Sequence, residues 1–209
     1  MSAARPSPPD QPDRLVVGIT GASGAPYAAQ LMRRLGEWYP GEVHLIMSSV
    51  GEQVLRYECS PAQLEYVFGF PRLVRHGAGD FWAGPSSGSY LTRGMVVIPC
   101  SMGHLGHLAA GTSHDLIARA ADVALKEARP LVLVPREAPL NRIHLKNLLA
   151  THDAGAHLVP AMPAFYHHPE TIEDLLDTVV ARVLDLLAIP HQVGLRWREP
   201  LPVDAPLEA

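Results

Sequence analysis

Five short runs of apolar residues punctuate the chain without a polar alternation. They are Arg14–Ile19, Val43–Met47, Met95–Ile98, Leu131–Val134 and His157–Val159. Runs of this length and content predict strands buried on both faces. Between them lie segments with helical spacing: Ala25–Trp38, Ser49–Tyr57, Ala62–Phe68, Asp115–Ala128, Ile143–His152 and Thr171–Leu187. The last has the clearest stripe, with Ile172, Leu175, Leu176, Val179, Val180, Val183 and Leu187 on one face. Strands that are each followed by a helix predict a parallel sheet covered on both sides. The expected fold is therefore a single-domain, three-layer, doubly wound α/β sheet of the Rossmann or flavodoxin-like kind. Residues 65–90 mix turns, aromatics and prolines, and read as a long functional loop.

In such sheets, ligands bind beyond the carboxyl ends of the strands. The first strand runs into Gly18-Ile-Thr-Gly-Ala-Ser-Gly-Ala25. Its glycines permit close backbone approach, and the following helix offers N–H groups and a positive dipole end to a phosphate or an electron-rich ring. The order is not G-x-G-x-x-G, which argues against NAD; a plain strand-to-helix turn is the competing reading. Ser48 and Ser49 follow the second strand, as phosphate donors or simply as a helix cap. Pro99-Cys-Ser-Met-Gly-His104 follows the third, Pro135-Arg-Glu-Ala-Pro-Leu140 the fourth, and the aromatic loop Pro160–His168 the fifth. Polar, glycine or aromatic clusters at five successive strand ends fit one shared ligand site. Arg119 and Lys126 lie seven apart on one helical face, with Asp122 able to pair with Lys126. Arg182 lies beside the final apolar stripe.

Composition narrows the classes. Of the 209 residues, 47% are apolar and 18% charged, which excludes a wholly disordered chain. A net charge of -4 gives no reason to expect nucleic acid or an anionic membrane as partner. No apolar run approaches a membrane span. Two cysteines, Cys59 and Cys100, read as intracellular thiols, with cytoplasm the default location. Cys100 at a strand end reads as structural rather than as a nucleophile. His104 and His107, or His167 and His168, lack the Cys or carboxylate spacing of a zinc site, so no metal is expected. Residues 1–13 and 198–209 are rich in proline and read as loose tails flanking a domain over 14–197.

Several segments together resemble the UbiX-type flavin prenyltransferases, part of a wider family of homo-oligomeric flavin-containing proteins that includes cysteine decarboxylases. They are residues 18–25, Ser-Ser-Gly-Ser at 86–89, Met-Val-Val-Ile-Pro-Cys-Ser-Met at 95–102, Arg-Ala-Ala-Asp-Val-Ala-Leu-Lys-Glu at 119–127, residues 131–140, Ile-His-Leu-Lys-Asn-Leu-Leu at 143–149 and Pro-Ala-Phe-Tyr-His-His-Pro at 163–169. The resemblance implies an enzyme that transfers a dimethylallyl group from dimethylallyl phosphate, or the pyrophosphate in some relatives, to N5 and C6 of reduced FMN. The prenylated FMN would pass to a UbiD-type decarboxylase of ubiquinone or aromatic acid metabolism. It implies no metal and a homo-oligomer, typically a dodecamer.

The same resemblance assigns residues. Gly21, Ala22 and Ser23 would cradle the flavin, and Ser48 would bind its phosphate. Ser101, Met102, Gly103 and His104 would line the flavin, with Arg119 a further contact. Lys126, Arg136, Tyr166 and Arg182 would grip the dimethylallyl phosphate. Glu58 and Glu137 would stand near the reacting centre, with Trp82 an aromatic wall. The catalytic set implied is Glu137, Glu58, Trp82, Lys126 and Ser23. The chain departs from the family pattern at His104, where Thr is frequent, at Gly103, and at His114-Asp115. A flavin-dependent cysteine decarboxylase of the same fold and a flavin carrier without chemistry are the rival readings. The first expects a His soon after the glycine turn, where Gly24-Ala-Pro-Tyr27 stands.

Overall fold

The computed structural model describes residues 13–194 and 196. Both expected tails lie outside these residues, except Asp13. That residue belongs to the fold: its carbonyl accepts the Glu42 N–H at 2.8 Å and its carboxylate pairs with Arg93.

Six parallel strands form one sheet in the order β3-β2-β1-β4-β5-β6. They are β1 (Arg14–Ile19), β2 (Glu42–Met47), β3 (Leu73–Gly77), β4 (Gly94–Cys100), β5 (Leu131–Pro135) and β6 (His157–Leu158). The helices are α1 (Ala25–Trp38), α2 (Ser49–Glu58), α3 (Pro61–Phe68), α4 (Met102–Ala109), α5 (Leu116–Lys126), α6 (Arg142–Asp153) and α7 (Ile172–Leu186). The order reverses between β1 and β4, so the crevice beyond Ile19 and Cys100 is the expected place for a ligand.

Strand pleating divides the core in two. Leu15, Val17, Ile19, Val96, Ile98, Val132 and Val134 face α1, α3 and α7. Their alternates Val16, Met95, Val97, Leu131 and Leu133 face α4 and α5. Helix α5 comes so close that a Cβ on Gly18 would lie 3.1 Å from Ile117 Cγ2. Across α1 and α7, the buried Asp177 accepts hydrogen bonds from Gln30 Nε2 at 2.7 Å and Arg34 Nε at 3.0 Å.

Two expectations need correction. Residues 73–77 form β3, inside the stretch read as loop. This edge strand is exposed at Val74 and Arg75 and buries no residue fully, so it shows neither an apolar run nor alternation. Ile172 is exposed at the first turn of α7, and the buried stripe begins at Leu176.

Candidate active site

The first βα turn is closed by a residue distant in sequence. Helix α1 has no side-chain cap from Gly24, whose φ of 110° is a backbone state that only glycine adopts without strain. Glu58, the last residue of α2, supplies the cap. Its Oε2 accepts the Gly24 N–H at 2.8 Å and the Ala25 N–H at 2.9 Å. Burial pushes the Glu58 carboxyl up, but hydrogen bonds from the Ser23 hydroxyl and these two amides outweigh it, with Arg136 nearby, and hold it below its ordinary value. The start of α1 is therefore already occupied by a carboxylate. Of the two ligands this turn suits by sequence, a phosphate or an electron-rich ring, the carboxylate competes with the phosphate and not with the ring.

Arg136 leaves β5 and turns across the crevice, where its Nε donates to the Ser23 carbonyl at 2.8 Å. Ser23, Glu58 and Arg136, far apart in sequence, thus meet at one strand edge. Glu137, next in the chain, is exposed, and its Oε1 accepts the Ala138 N–H at 3.0 Å.

Thr20 holds β1 and β4 together, a role that sequence reasoning missed. Its buried Oγ1 donates to the Pro99 carbonyl at 2.7 Å and accepts the Ser101 N–H at 2.7 Å. A lone Thr inside a glycine turn gave no signal of this. Ser48 and Ser101 both cap helices at this edge. Ser48 Oγ accepts from Gly51 N–H at 3.0 Å, and Ser101 Oγ accepts from His104 N–H at 3.4 Å. Gly51 is required there, because a Cβ would lie 2.5 Å from the Ile19 carbonyl oxygen. Each hydroxyl keeps its own proton to donate. Gly21, Ala22, Met102 and Gly103 lie in the same two turns. Cys100 is fully buried and burial pushes its thiol up to about 12, so it is no nucleophile.

The last two strands contribute a second patch on the same edge. Ala161 N–H donates to the Pro135 carbonyl at 3.1 Å, so the loop after β6 leaves beside Arg136. Tyr166 and Arg182 line one cleft of about 400 Å³ with Val159, Met162 and Thr178. Arg182 pairs with Asp185 at 2.7 Å, which also binds His191 and Arg196.

Lys126 does not join these groups within one chain. Helix α5 runs antiparallel to the strands, so Lys126 ends near the start of β5. The five residues of β5, about 13 Å of strand, separate it from Arg136. It pairs with Glu127 beside Gly88, not with Asp122. Asp122 instead accepts from Arg119 at 2.8 Å, while Arg119 Nε donates to the Ser86 carbonyl at 3.0 Å. Arg119 thus ties α5 to the loop before β4. The Trp82 side chain is 98% exposed.

Comparison with known proteins places this geometry. The flavoprotein family model matches residues 3–184. A probable UbiX-like flavin prenyltransferase of Escherichia coli O157:H7 is 47% identical over 185 residues, covering 88% of this chain and 93% of that protein. Flavin prenyltransferase UbiX of Pseudomonas aeruginosa is 44% identical over 200 residues, covering 90% and 95%. A UbiX crystal structure in complex with FMN and dimethylallyl pyrophosphate superposes with a TM-score of 0.83 at 40% identity, covering 91% of this chain and all (100%) of that one. A dodecameric FMN-dependent UbiX-like decarboxylase from Escherichia coli O157:H7 gives 0.81 at 45% identity, covering 90% and 100%. The chain is a flavoprotein of the doubly wound α/β class. It belongs to the UbiX-type flavin prenyltransferases, as the sequence resemblance implied.

Proposed function

We propose that this chain transfers a dimethylallyl group from dimethylallyl phosphate to reduced FMN, yielding prenylated FMN for a UbiD-type decarboxylase in the cytoplasm. The observation that carries the reading is the meeting of Ser23, Glu58 and Arg136 at the carboxyl edge of a UbiX-type chain.

The residues present fit an FMN. Ser48 and Ser101 offer hydroxyl donors at two helix starts on this edge, and the partly exposed start of α2 is open to a phosphate. With Glu58 closing the start of α1, the phosphate belongs at Ser48. Reduced FMN would supply the electron-rich N5 and C6 as nucleophiles toward the electrophilic allyl carbons. The protein's part is positional and electrostatic. Arg136, Arg182, Lys126 and the Tyr166 hydroxyl would hold the donor phosphate and stabilise the charge that collects as it leaves. Trp82 would offer an aromatic face to the allyl cation. Glu137, exposed beside this edge, would accept the proton lost on substitution at the ring, a task the departing phosphate also suits.

Because Lys126 stands apart from the cluster in one chain and Trp82 is almost fully exposed, a neighbouring copy would bring them to a shared site. That supports a homo-oligomer, of dodecameric order, whose sites close between subunits. The cysteine decarboxylase reading is disfavoured: it wants a His in the first turn of α1, where Pro26 and Tyr27 stand, and gives Lys126, Arg136 and Arg182 no role.

Glu137→Gln tests the assignment of the base. Turnover should fall at least tenfold with FMN retained. Full turnover in that variant would remove Glu137 from the chemistry and leave the phosphate as base.

A further inference from the structure

The turn between α4 and α5 gathers two histidines and a carboxylate, of which only His104 is among the residues expected to line the flavin. His104 Nε2 lies 2.9 Å from Asp115 Oδ2, and His114 Nε2 lies 3.5 Å from the same oxygen. The three donor atoms all lie within 4.8 Å of one another. We propose that His104, His114 and Asp115 form a binding site for one divalent cation of the zinc type.

The spacing suits such an ion. Zinc bonds of about 2.0–2.1 Å at tetrahedral angles put neighbouring ligand atoms roughly 3.3 Å apart. The two distances to Asp115 Oδ2, 2.9 and 3.5 Å, bracket that value. Two imidazoles and one carboxylate are also a donor set that late first-row divalent ions favour.

The ligands are held by their far sides, as metal ligands are. His104 Nδ1 meets Ser101 Oγ at 3.2 Å, which leaves Nε2 aimed at the carboxylate. Asp115 Oδ1 accepts the Ala118 N–H at 2.8 Å as the cap of α5, which leaves Oδ2 turned inward. The His114 ring stacks on His107 at 3.7 Å between centroids, and His107 Nδ1 is bonded to Thr112 Oγ1 at 3.0 Å. The turn is therefore braced on three sides.

Access is one-sided. The side chains of His104 and Asp115 are 13% exposed and that of His114 is 39% exposed. An ion enters past His114, and a water completes the fourth position, as in open three-ligand zinc sites. The ion replaces the direct His104–Asp115 hydrogen bond: the proton on Nε2 is released to solvent, and the neutral ring carries its one proton on Nδ1, where it donates to Ser101 Oγ. The site so defined is a ligand site beside the flavin edge and not a participant in the transfer.

The test uses the full-length protein with its FMN, stripped with EDTA and dialysed against micromolar zinc chloride. Metal analysis should find one zinc per chain. Cobalt(II) in its place should give the visible absorption of a tetrahedral site. His114→Asn should weaken zinc binding at least tenfold and remove the cobalt bands while FMN stays bound. Asp115→Asn keeps the helix cap and should do the same, which covers the case in which the first variant folds poorly. No stoichiometric zinc in the wild type, or binding that survives both substitutions, overturns the proposal.

Discussion

Removing the Glu58 carboxylate should destabilise the protein measurably. In Glu58→Ala the amides of Gly24 and Ala25 lose their acceptor, as does the Ser23 hydroxyl. Loss of a helix cap costs about 1 kcal/mol. The two half-buried amides add roughly another 1 kcal/mol, since water reaches them only in part. The sum is about 2 kcal/mol, or about 4–8 °C in Tm for a domain of this size. Glu58→Gln keeps an acceptor oxygen and loses only the charge facing the helix end and Arg136, so about 0.5–1 kcal/mol is expected. The pH dependence has a definite sign. The folded carboxyl sits below its ordinary value, so its contribution is complete above about pH 4.3 and fades as pH falls through the folded value. The gap between wild type and Glu58→Gln should close in acid. Urea titration at one fixed protein concentration measures all three proteins, because assembly makes stability concentration-dependent. A Glu58→Ala protein within 0.5 kcal/mol of wild type, or a Glu58→Gln protein as weak as Glu58→Ala, refutes the capping argument.

The remaining predictions concern a histidine pair and the phosphate grip. His44 is buried against His76 at 2.8 Å, with Tyr90 at 3.3 Å and Glu42 at 3.5 Å, and burial lowers both imidazoles below their ordinary value. Below about pH 6.5 the unfolded chain takes up protons that the native state refuses. Stability should therefore fall from that pH downward until the folded values are reached, by up to about 1.4 kcal/mol per pH unit per histidine, and His44→Gln should flatten the slope in urea titrations. Lys126→Ala and Arg182→Ala should each weaken dimethylallyl phosphate binding at least tenfold in calorimetry while leaving FMN bound. Loss of FMN in either variant contradicts the assignment.

The sheet was legible where strands are buried on both faces, because β1, β2, β4 and β5 need unbroken apolar runs. The edge strand β3 escaped because exposed Val74 and Arg75 carry no period. The carboxyl-edge site was legible as a set of turns but not as a set of contacts. Nothing in the spacing of residues 23, 58 and 136 says that a carboxylate closes the helix that looked ready for phosphate. Nor does the spacing of residues 104, 114 and 115 show that a chain reversal folds the second histidine back onto the first. Helix direction decided the rest: Arg119 and Lys126 share a face, yet an antiparallel α5 carries Lys126 to the far edge of the sheet.

The central claim is tested by anaerobic incubation of the protein with reduced FMN and dimethylallyl phosphate, and in parallel with the pyrophosphate, followed by mass spectrometry of the released flavin. The account predicts a gain of one C5H8 unit. Bound FMN of unchanged mass with both donors would contradict it.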